Sequence, residues 1–139
     1  MSNRVDTVVS TLSAHVNVPT GMPVPLAAGL HYVVADPFAV RLTLGAPLST
    51  PIHWVFARDL LAAGLWQPTG TGDVLVRADD LSRTVRITLR NRGGAAVIEA
   101  PLSEVADFLD QTFALVPWGT ESLYTNVDRA IAELTEQIG

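Results

Sequence analysis

The chain contains no cysteine and no lysine. Without cysteine there is no disulfide framework, no thiolate metal site and no thiol nucleophile. Without lysine there is no phosphate-cradling Gly-rich loop of the usual kind, which needs that side chain. All nine cations are arginine, which reads as the codon usage of a GC-rich genome. Charged residues make up only 17% of the chain, and no apolar run reaches the length of a membrane span. The opening Met1-Ser2-Asn3-Arg4-Val5-Asp6 lacks the apolar core of a secretory signal, so the expectation is a cytoplasmic chain. The net charge of -5 argues against general nucleic-acid binding and removes a polybasic route to anionic lipid.

What is present is apolar. Hydrophobic residues make up 48% of 139 positions, which excludes disorder and fills the core of a single domain spanning 1–139. That content exceeds what a core needs, so part of it is expected to meet a subunit or partner. Val8, Leu12, Ala14, Val16 and Val18 share one parity in a long half-buried strand from Val5 to Val18. After a loop with three prolines, Pro19 to Pro25, a strand is expected at Leu30–Val34. Phe38, Val40, Leu42 and Leu44 alternate in the next, and Ile52, Trp54 and Phe56 in the one after. Arg58-Asp59-Leu60-Leu61 then switches to helical spacing. Asp59 lies in the first turn, and Gly64 is read as a left-handed C-terminal stop. Pro68 and Gly70-Thr71-Gly72 turn the chain toward Val74.

The second half reads as a meander, with strands at Asp73–Arg77, Thr84–Arg90 and Ala95–Ala100. Asp79-Asp80-Leu81-Ser82 and Asn91-Arg92-Gly93-Gly94 supply the turns. Val105, Phe108, Leu109, Phe113 and Val116 recur at helical spacing after Pro101. A last helix is expected behind a capping box at Thr125 and Asp128, with an apolar stripe of Val127, Ile131, Leu134 and Ile138. The fold class is α+β: antiparallel sheets backed by helices, with a possible duplicated strand-strand-strand-helix unit.

The run Trp54 to Val74, read with Leu30-His31-Tyr32, Ala35-Asp36-Pro37-Phe38-Ala39-Val40 and Glu99-Ala100-Pro101, resembles the SsgA-like proteins. These regulate sporulation-specific cell division in actinomycetes. The similarity runs from about Met22 to the last helix. It implies a whirly-type architecture, trimeric assembly and a non-enzymatic cytoplasmic adaptor at the division septum. The Ala35–Val40 string is most like the branch that recruits the tubulin-like protein FtsZ and promotes its assembly. The implied partners are FtsZ and another SsgA-like protein, with the membrane reached only through partners.

No catalytic constellation, cofactor site or metal site emerges. His15, His31 and His53 fall on different strands and read as strand-face residues. Gly70-Thr71-Gly72-Asp73 precedes a strand, unlike a phosphate loop. The candidate partner-binding residues are Arg58, Asp59, Trp66, Arg86, Arg90 and Trp118. Arg86 and Arg90 alternate with Thr84 and Thr88 in a basic ribbon, read either as an anionic docking face or as a solvated strand face. Arg58-Asp59 reads either as helix initiation with a local ion pair or as a contact across subunits. Trp66 and Trp118 read as interface anchors or as core cover, and Trp54 as core. In the resembled family a second proline commonly stands where Trp118 does. Two rivals stay open: a single-stranded nucleic-acid-binding module of whirly-like fold, and a small-molecule or enzymatic domain built on a trimeric sheet.

Overall fold

Residues 6–18, 21–70 and 72–125 are described by the computed structural model. Strands β1 (Thr7–Asn17), β2 (Val24–Val33), β3 (Ala39–Leu44) and β4 (Ile52–Ala57) lead into helix α1 (Arg58–Gly64). Strands β5 (Val74–Asp79), β6 (Thr84–Asn91) and β7 (Gly94–Pro101) lead into helix α2 (Leu102–Leu115). The fold is α+β, with four strands before the first helix and three before the second. All seven strands join one antiparallel sheet in the order β4-β3-β2-β1-β7-β6-β5. The sheet curls into a half-barrel. Trp54 of β4 and Leu89 of β6 are five places apart in that order, yet both line one concave cavity of about 510 Å³.

The inner face carries the core. Leu30, Leu42, Val85 and Val105 are fully enclosed, and each such side chain contributes about 1.5–3 kcal/mol through burial. The two halves meet at β1 and β7, which pair only through His15↔Glu99, Val16↔Ile98 and Asn17↔Val97. Beyond that short seam α2 takes over: the Ser13 N–H and hydroxyl donate to the two Glu104 carboxylate oxygens, at 2.6 and 2.9 Å.

The halves share a junction that explains why helices start where they do. Neither α1 nor α2 has a side-chain N-cap. In each, the first helical N–H donates instead to the carbonyl just before the strand that pairs with the preceding strand. Arg58 N–H reaches Phe38 O at 2.8 Å, and Leu102 N–H reaches Arg83 O at 2.9 Å. The orphan donors of both helix starts are thus met in the same non-local way. This is a duplicated strand-strand-helix junction, without matching sequence between the copies.

Four local expectations are corrected. Gly64 is not a left-handed stop: the chain leaves α1 through Leu65 in right-handed geometry (φ -73°). Gly64 is required because a Cβ there would collide with the Val76 side chain, so it lets α1 lie directly on β5. Phe38 is 51% exposed and precedes β3 rather than joining its inner face. Thr125 is already helical in a turn that begins at Glu121, so it is not an N-cap; Asp128 and the stripe from Val127 to Ile138 lie outside the described residues. Strand β2 also starts earlier than expected and includes Pro25. The Ala27 N–H points past the end of β3 to Ala46 O, so the Pro25 nitrogen faces a side where no ladder donor is needed. The expected corner at Gly70 (φ +116°) and the hairpin closing at Gly94 (φ +139°) are both present.

Candidate functional site

Arg58 opens α1 and is completely buried. Its guanidinium carbon lies 4.0 Å from the centroid of the Phe113 ring and 5.1 Å from that of Tyr32. At the buried end of α2, Nη1 donates to the carbonyl of Thr112 (3.2 Å), which also accepts the Val116 N–H, and to that of Val116 (2.8 Å). Nη2 lies 3.5 Å from Oε1 of Glu121, which is also buried. That same carboxylate oxygen accepts the Gly119 N–H. The cation therefore ties the start of α1 to the end of α2 and to the turn after it. Tyr32, beside it, donates its hydroxyl to Pro37 O at 2.9 Å. Burial pushes the Tyr32 phenol up to about 12, against the opposing pull of Arg58.

This geometry corrects the sequence reading of the pair Arg58-Asp59. Arg58 meets no solvent, and its carboxylate partner is Glu121, not its neighbour Asp59. Asp59 is exposed in the first turn of α1, where it complements the helix dipole. The surface consequence of Arg58 is indirect. Glu121 and the Pro117 carbonyl, which accepts from Thr120, shape a turn around Gly119 (φ +87°), and Trp118 stands on that turn 74% exposed. Trp66, just past α1, is 92% exposed. Trp54 is half-buried and lines the concave cavity.

The arginine ribbon is interrupted. Arg77, Arg86 and Glu99 stand in register across β5, β6 and β7. The Arg86 Nε donates to Glu99 at 2.7 Å, and Asp79 lies 4.0 Å from its Nη2. Asn17 of β1 also donates to Glu99, at 3.0 Å. Arg86 thus belongs to a strand-to-strand network that crosses the seam, while Arg90 is exposed near the β6–β7 hairpin. Asp79 is held below its ordinary value chiefly by the Ser82 and Leu81 N–H groups, which it accepts in the β5–β6 turn.

On the outer sheet face, His31 and His53 lie near Thr43, whose hydroxyl is 3.3 Å from His31 Nε2. Desolvation lowers the His31 pKa, with Arg41 and His53 adding to the effect. Among the described residues no group of three His, Cys, Asp or Glu side chains could hold a metal ion. No described helix is long and apolar enough to cross a membrane. One end of the half-barrel is apolar: Leu48 and Ile52 are exposed there, around the mouth of the concave cavity. No carboxylate occurs in the segments 24–26, 45–56 or 90–98 at this end; Asp73 stands beyond them, before β5. A second hollow of about 510 Å³ lies between α1 and α2, with Trp66 at its rim.

Sequence reasoning missed Tyr32, Phe113 and Glu121 as members of the Arg58 node. No local pattern links residues so far apart. The one available signal was a glutamate directly after the Pro117-Trp118-Gly119-Thr120 turn.

A curled antiparallel sheet, two helices locked by an enclosed arginine, and tryptophans displayed on the outside define an α+β scaffold whose outward features are surfaces. A sequence model described as "Streptomyces sporulation and cell division protein, SsgA" matches residues 26–121. This chain belongs to that family. It is 38% identical to "Sporulation-specific cell division protein SsgB" of Thermobifida fusca, over 96% of this chain and 98% of the relative. It is 40% identical to the Streptomyces coelicolor protein of the same name, over 92% and 95%. The crystal structure of an SsgA-like sporulation-specific cell division protein from Thermobifida fusca superposes with a TM-score of 0.86 at 37% identity, covering 96% of this chain and 98% of that one. The expected family agrees with these relatives. The family is one of sporulation and cell-division proteins, and this supports a role in cell division.

Proposed function

We propose that this protein is a non-enzymatic adaptor of sporulation-specific cell division. It brings FtsZ to future septum sites and promotes its assembly there. Family membership supports the cell-division role. The observation that carries the adaptor reading is the use of Arg58: the most buried charge organises a rigid node, while Trp66 and Trp118 stand on its outer side as exposed anchors. Residues 1–139 act as one domain. The active form is a homotrimer, whose repeated docking sites raise avidity for a polymer. The exposed Leu48 and Ile52, in a segment free of carboxylates, suit a lasting contact between copies. The protein works in the cytoplasm at the septum and reaches the membrane through its partners. The nucleic-acid alternative loses support because Glu99 and Asp79 neutralise Arg86 in the middle of the arginine ribbon.

Time-lapse imaging of a fluorescent fusion beside labelled FtsZ, in sporulating hyphae of Streptomyces coelicolor, tests this reading. The fusion is expected at future septum sites before FtsZ rings form. Foci that only follow the rings, or a diffuse signal throughout septation, would count against recruitment.

A further inference from the structure

We infer that the hollow between α1 and α2 is a docking groove for a basic amphipathic helix of a partner protein. The two helices contribute equivalent positions, counted from the residue whose N–H is capped at the duplicated junction. The fifth and eighth are Ala62 and Leu65 in one, and Ala106 and Leu109 in the other. The alanines keep the floor low and the leucines flank it, with Leu102 and Phe113 extending the apolar stripe. A groove of this composition suits the apolar face of a helix.

The ninth positions and the rim set the chemistry of the occupant. Trp66 holds the ninth position on the α1 side and is almost fully exposed, an aromatic anchor for a partner to bury. Asp110 holds it on the α2 side, and Asp80 adds a second rim carboxylate. Asp59 and Asp107 are exposed on the same two helices. No cation lines the groove. Arg58 lies beneath it, sealed off by Phe113, and exposed Arg83 belongs to the turn before β6. An apolar floor with an acidic rim selects a helix whose apolar stripe is flanked by lysine or arginine. The biological sense of this groove rests on the adaptor reading, but not on which division protein is the partner.

The test uses two labelled synthetic helices of roughly 18 residues, one built of leucine and lysine and one of leucine and glutamate. Fluorescence anisotropy is read with the full chain and its variants. The leucine–lysine helix is expected to bind with one-to-one stoichiometry and at least about tenfold more tightly than the acidic one. Ala106→Trp, which fills the groove, is expected to abolish binding. Asp110→Arg, at an exposed site that leaves the fold intact, is expected to weaken it about tenfold, and Trp118→Ala to change nothing. Equal binding by both helices, or undiminished binding to Ala106→Trp and Asp110→Arg, would overturn the inference. So would a drop in oligomer size with Ala106→Trp, because a second copy would then own the groove. Co-pelleting of the wild type with FtsZ separates the two claims. Wild type that stays in solution defeats FtsZ recruitment alone, whereas a leucine–lysine helix that does not bind the wild type defeats the groove alone.

Discussion

Arg58 and Glu121 face each other across 3.5 Å inside the protein, with neither charge open to solvent. Removing one partner from such a pair leaves an uncompensated buried charge. Arg58→Ala is therefore expected to cost about 3–5 kcal/mol in urea unfolding. It also removes the Arg58 donor from the Val116 carbonyl and leaves the Thr112 carbonyl with the Val116 N–H alone. The double variant Arg58→Met with Glu121→Gln is expected to cost less than the sum of the singles, because neither charge is then stranded. Additive costs would mean that the two side chains act independently.

Gly64 tests how α1 is seated. A Cβ there runs into Val76, so Gly64→Ala is expected to destabilise by about 1–3 kcal/mol through overpacking. Pairing it with Val76→Ala should recover part of that loss relative to Val76→Ala alone, as read from thermal or urea midpoints. A left-handed glycine would give no such rescue.

The seam between the halves is short, and Glu104 extends it. Glu104→Ala removes both acceptors from Ser13 at a surface site, for an expected cost of about 1 kcal/mol. Amide exchange at Ser13 should accelerate while exchange at Leu30 in the centre of β2 stays slow. Unchanged Ser13 protection would show that the seam holds without α2.

His31 makes stability depend on pH in a defined direction. Its folded pKa lies below the ordinary 6.5, first from burial, then from Arg41 and His53. Between that lowered value and 6.5 the unfolded chain binds more protons than the folded one, so stability falls as pH drops below 6.5. His31→Gln is expected to lose less stability than wild type between about pH 7.5 and about pH 5 in matched urea titrations. Equal losses would remove His31 from the account.

Much of the fold was legible because burial on one face imposes a period of two. Val40, Leu42 and Leu44 point inward along β3 as their alternation requires, and the Asn91–Gly94 hairpin follows from residues that tolerate positive φ. What escaped is set by contacts distant in sequence. Gly64 fits two physical roles, chain reversal and close approach, and only Val76, on a later strand, decides between them. Arg58 sits in a helix-starting pattern common to surface residues; its burial depends on Tyr32, Phe113 and Glu121 from three other parts of the chain. The arginines of β6 formed a ribbon in sequence, but strand register put Glu99 opposite Arg86. Trp66 and Trp118 kept a role compatible with the surface reading, because both side chains are largely exposed.

The most direct test of the adaptor account is co-sedimentation of the purified protein with FtsZ polymers formed under GTP at near-physiological salt. The account predicts enrichment in the polymer pellet, with more or longer filaments, by a protein that sediments on its own as a trimer. A protein that stays in the supernatant while FtsZ polymerises unchanged would contradict it.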